Sequence, residues 1–194
     1  MVIAYIIFFL SILTWLLVPF RQFKSKYFIF FLILAFLDPL VMISHLLFPV
    51  DPFRIYTIFI FLNALSLLNF NWIKKNLLFI IPIFILDILL AVYFRIPDLT
   101  IVLILLHLII LIIILRVAVV DLYKKNLINM FNFILCIYEI SIIMKFMIVL
   151  TDAKTGATFF FLTSAFEILI GFYFILYNGK NSPKIKLNMS VQKN

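Results

Sequence analysis

Four acidic side chains stand where an acid is least expected: Asp38, Asp87, Glu139 and Glu167 each lie near the middle of a long apolar run. A carboxylate at the centre of a bilayer costs at least ~2.5–3.5 kcal/mol on insertion scales, so such groups turn toward a polar interior. Two histidines, His45 and His107, and an amide, Asn63, lie inside similar runs. Together these residue types admit three chemistries. The acids and imidazoles could hydrogen-bond a small ligand, couple the passage of protons or cations, or act as acid and base on a lipid.

Helical spacing decides which of them share a face. Asp38 and His45 are seven residues apart, so they point the same way, about 10.5 Å apart along the axis. Thr100 aligns with His107, Asn63 with Ser66, Asn132 and Cys136 with Glu139, and Thr163, Ser164 and Gly171 with Glu167. Each run therefore shows one narrow polar stripe, as expected where stripes from several helices converge. Pro39 follows Asp38 and cannot donate to the carbonyl of Ala35, which leaves a polar backbone atom beside an acid. Broken helices at mid-depth mark binding sites in many transporters, and structural kinks in many other proteins. Lys145 lies nearer a helix end and is expected to snorkel outward.

Metal and cofactor chemistry find no pattern here. Neither His-x-x-His nor Glu-x-x-His spacing occurs, and the single Cys136 excludes an intrachain disulfide or a cysteine zinc cluster. Motifs of zinc peptidases, serine hydrolases and P-loop proteins are absent too.

The elements that carry these stripes follow from composition. Of 194 residues, 67% are hydrophobic and 12% charged, more apolar surface than one soluble core of that length can hide. The chain reads as an all-α, polytopic membrane protein. Seven runs approach the ~20 residues a spanning helix needs: 2–20, 27–48, 53–70, 76–94, 98–120, 127–150 and 156–177. Residues 178–194 form a basic tail expected to be disordered. Spans two to seven also read as three tandem hairpins, each with an acid at the centre of its first helix.

Loop charges orient the spans. Arg21, Lys24 and Lys26, then Lys74 and Lys75, then Arg116, Lys124 and Lys125, then the tail lysines fall on one side. Arg54, Arg95 and Lys154 fall on the other, each near an Asp. By the positive-inside rule the first set is cytoplasmic, which puts the N-terminus outside, in a cell (inner) membrane. Scattering of the positives into short runs argues against nucleic acid as a partner despite the net charge of +8.

The first expectation is a receptor-like input module that binds a small ligand through Asp38, His45, Asn63, Asp87, His107, Glu139 and Glu167. It would act through a membrane or cytoplasmic protein partner docked near Arg116, Lys124 and Lys125. A proton- or cation-coupled transporter using the same acids is the alternative. A lipid-modifying enzyme ranks third, because lipid headgroups lie at the interfaces and these acids lie centrally.

Overall fold

The computed structural model describes residues 2–48, 50–151 and 156–186. Residues 152–155, with Asp152 and Lys154, and residues 187–194, with Lys193, lie outside the described residues. Eight helices account for nearly all of the rest: α1 (Val2–Gln22), α2 (Phe28–Leu47), α3 (Pro52–Ser66), α4 (Phe70–Lys75), α5 (Leu77–Tyr93), α6 (Ile96–Lys125), α7 (Met130–Thr151) and α8 (Gly156–Leu176). Two short strands, β1 (Leu127–Asn129) and β2 (Lys184–Lys186), complete the fold.

Helices α2, α6 and α7 are long and apolar enough to cross a membrane, with mean hydropathies of 2.2, 3.2 and 2.3. Shorter apolar helices occupy Ile6–Gln22, Pro52–Ser66, Leu77–Tyr93 and Phe161–Leu176. Their outward faces carry large exposed apolar side chains, among them Leu13, Phe36, Leu78, Ile112, Met147 and Leu169. A contiguous apolar exterior of this kind needs lipid or another apolar partner as its solvent.

Local chemistry explains most helix ends. Asp51 caps α3, its carboxylate accepting the Phe53 N–H at 2.9 Å while Pro52 occupies the first turn. Arg54 then donates to the carbonyls of Ala91 and Val92, which would otherwise go unpaired at the end of α5. Asn126 closes α6 in the left-handed region, with φ 50°. Helices α2 and α5 continue through Pro39 and Pro82, so neither proline ends its helix.

Packing places six of the helices in a closed ring. Each is the neighbour of the next in the order α1, α2, α3, α6, α7, α8, and α8 returns to α1. Helix α5 stands outside this ring and packs on α3, with Phe84 stacked on Phe61 at 5.6 Å. It does not pack chiefly along α6, the next helix in the chain. Where α1 meets α8, Gly171 lets the backbones approach closely: a Cβ there would lie 2.6 Å from the Thr14 methyl group.

One half of the ring is filled by aromatic rings. Trp15 packs near Phe31 and Phe174, with centroids 6.3 Å away in both cases. Phe174 meets Phe131 at 5.0 Å, and Phe131 stacks on Tyr27 at 5.2 Å. Tyr27 donates to Asn132 Oδ1 at 2.7 Å, so the stack ends on a satisfied polar pair.

The expectation of a fully disordered tail also requires correction. Leu127 to Asn129 pair antiparallel with Lys186 to Lys184, and Met130 N–H donates to Pro183 O at 3.1 Å. Residues up to Lys186 are thereby fixed against the end of α7.

Candidate functional site

A cavity of about 240 Å³ occupies the other half of the ring. All six ring helices supply its wall: Ser11 from α1, Asp38 from α2, Tyr56 from α3, His107 from α6, Lys145 from α7 and Glu167 from α8. Apolar side chains, including Ile7, Phe8, Phe53 and Phe161, cover most of the remainder. Trp15 belongs both to this wall and to the aromatic packing, so the cavity ends on the ring stack.

Two side-chain pairs order the polar part of the wall. Tyr56 donates its hydroxyl to Asp38 Oδ1 at 2.7 Å. Lys145 Nζ lies 3.0 Å from both carboxylate oxygens of Glu167, a two-point contact that holds the ammonium inside the ring. The expected snorkelling of Lys145 is therefore corrected: its side chain is only 17% exposed. Asp38 accepts the Tyr56 hydroxyl through one of its two oxygens. Along the wall lie two carboxyl groups, one ammonium, one imidazole and the phenols of Tyr56 and Tyr138, all set in an apolar surround.

Behind the wall, His107 Nδ1 lies 2.8 Å from Glu139 Oε2, with Glu139 fully buried. His107 also packs against the Phe146 ring at a centroid distance of 5.6 Å, which orients the imidazole between cavity and acid. Glu139 thus reaches the site only through His107.

Three of the sequence-derived candidates do not join this constellation. His45 is exposed at the end of α2, where Nδ1 sits 3.4 Å from Val50 O. Asn63 and Asp87 are buried, on α3 and on the outlying α5, and neither lines the cavity. Both Asn63 side-chain polar atoms and Asp87 Oδ2 lack a hydrogen-bond partner among the described residues. A common pocket for all four acids is therefore not observed; Asp38 and Glu167 share one, Glu139 stands behind it and Asp87 stands apart.

Tyr56 and Lys145 complete the wall, and sequence reasoning assigned neither to it. Tyr56 reads as an interfacial aromatic, yet it lies 18 residues after Asp38, across a short turn on the next helix. Lys145 lies 22 residues before Glu167, on the preceding helix. Each pair joins two helices that are consecutive in the chain, so polar residues on successive apolar runs are the sequence signal for it.

At the opposite end, Arg116, Lys124 and Lys125 are exposed along the last turns of α6. Lys125 bonds Asp121 at 2.6 Å, one helical turn away. No three His, Cys, Asp or Glu side chains gather as a metal site among the described residues.

These features define a helical ring with an apolar exterior and a cavity whose largely apolar wall carries a few polar groups. Compared with known proteins, the chain matches no family model, no curated protein and no solved structure.

Proposed function

We propose that α1, α2, α3, α5, α6, α7 and α8 each span a cell inner membrane, with the N-terminus outside and the C-terminus in the cytoplasm. In this reading the protein is a receptor-like input module. It takes a small ligand into the ring cavity and transmits the resulting change to a protein partner at its basic inner end.

One observation carries the reading: the cavity is walled by all six ring helices and ends on packed aromatic rings. A ligand bound there touches every ring helix at once, so small changes in its contacts bias the packing of the whole bundle. Tight interiors pass such shifts on as discrete rearrangements, and the stack from Trp15 to Tyr27 leads toward the basic end. The wall also suggests the ligand's chemistry. The Asp38 carboxyl group on the wall offers acceptor oxygens, and the phenylalanines offer an apolar surround. A small apolar amine or alcohol has the matching donor and body.

Coupled transport is the second reading, favoured by the Lys145–Glu167 pair on the same wall as Asp38. Protonation of either carboxyl group would change that pair, as a coupling step requires. Transport would also require the aromatic stack to open.

Cysteine labelling tests the orientation and the access together. Ser164 lines the cavity, and Cys136 can be replaced by alanine to give a thiol-free background. In intact cells, Ser164→Cys is expected to react with a small membrane-impermeant thiol reagent added outside. Reaction only after the membrane is permeabilised would contradict the proposed orientation.

A further inference from the structure

A second cleft, of about 400 Å³, lies at the basic end of the bundle. Four lysines line it: Lys26 from the α1–α2 turn, Lys125 from the end of α6, and Lys180 and Lys184 from the tail. Asp121 is the acid on the wall, and Lys125 engages it at 2.6 Å.

These lysines come from three distant parts of the chain, and specific contacts bring them together. The β1–β2 ladder fixes Lys184 opposite Asn129. Asn129 Nδ2 donates to Gly179 O at 3.4 Å, next to Lys180, and Tyr173 and Ser182 join hydroxyls at 2.8 Å. Lys26 is held over the Tyr27 ring, with its Nζ 4.7 Å from the centroid. The positive-inside rule explains why lysines occupy this side of a membrane protein. It does not explain why these converge, since Lys74, Lys75 and Arg116 share the side and lie outside the cleft.

Like charges gathered in a partly desolvated cleft repel one another unless an anion joins them. Lys26 records that cost: burial, the largest cause, lowers its pKa, Asp121 acts in the opposite direction and Lys125 lowers it further. Three ammonium groups beyond the Lys125–Asp121 pair suit a compact anion with several acceptor oxygens. We propose that this cleft binds a phosphate group, carried either by an anionic lipid headgroup or by a soluble phosphoester. Lysine recognises phosphate as a point charge and needs no planar fork to do so. Ser25 and Asn132, also on the wall, can add neutral hydrogen bonds.

The test uses the full chain in an uncharged maltoside, titrated separately with phosphatidylglycerol and with inorganic phosphate and read by native mass spectrometry. Lys26→Gln/Lys184→Gln is expected to weaken the bound species by about tenfold or more, at about 1 kcal/mol per lysine near a charged surface. Lys74→Gln/Lys75→Gln removes the same charge outside the cleft and should leave binding unchanged. Saturable lipid binding that phosphate does not displace identifies a headgroup site. Phosphate binding without lipid binding identifies a soluble phosphoester. Should the double variant fold poorly, Lys180→Gln alone reads the same site with a smaller loss. Absence of both ligands from the wild type would overturn the proposal, as would equal weakening by the two double variants.

Discussion

Lys145→Met is expected to lower the unfolding free energy in detergent by about 3–5 kcal/mol, the usual cost of leaving one member of a buried ion pair behind. Glu167 would lose the ammonium that contacts both of its oxygens at 3.0 Å, in a side-chain environment only 9% exposed. The cost arises from the stranded carboxylate more than from lost attraction, so removing the second charge should recover much of it. Lys145→Met/Glu167→Leu is therefore expected to be more stable than Lys145→Met alone. Thermal and denaturant melts of the four-member cycle measure the coupling directly. If Lys145→Met melts like the wild type, the ammonium is solvated outside the ring and the pair does not form. Additive losses in the double variant would equally exclude an energetic coupling between the two groups.

A loss of similar size, about 3–5 kcal/mol, is expected for His107→Leu. Glu139 is fully buried, its Oε1 has no hydrogen-bond partner among the described residues and its Oε2 faces His107 Nδ1 at 2.8 Å. Replacing the imidazole by a hydrocarbon leaves that acid enclosed among apolar groups. Glu139→Gln keeps the shape and removes the charge, so its cost should be smaller, about 1–3 kcal/mol. The ordering is the informative result. Were His107→Leu tolerated as well as Glu139→Gln, the pair could not be a buried contact behind the cavity wall.

The elements were largely legible because a long apolar helix leaves a long, simple mark. Each of the seven apolar runs overlaps one of the long helices, and α6 runs beyond its apolar stretch to Lys125, where Asp121 and Lys125 add an i,i+4 pair. Helix α4 was not read, since a six-residue helix capped by Asn69 has too few turns to show a period. Strand β2 is only three residues long, and its partner lies far back in the chain, so alternation could not reveal it.

The site was legible in part, for a definite reason. Polar stripes predict that a residue faces inward, and Asp38, His107, Glu139 and Glu167 do so. A stripe cannot say which helix it meets. Asp87 carries the same signal as Glu139, yet α5 packs outside the ring, so its inward face meets α3 and never the cavity. His45 shares a stripe with Asp38 but lies two turns nearer the helix end, beyond the enclosed wall. Ring order is a property of long-range packing, and no local pattern encodes it.

Binding within the ring is tested most directly by a thermal-shift and calorimetric screen of small apolar amines and alcohols against the purified full chain. The expected result is saturable stabilisation of the wild type, reduced by Asp38→Asn and abolished by Ser164→Phe, which fills the cavity from α8. Failure of every compound to bind would contradict a ligand-holding cavity, and so would binding that survives Ser164→Phe unchanged.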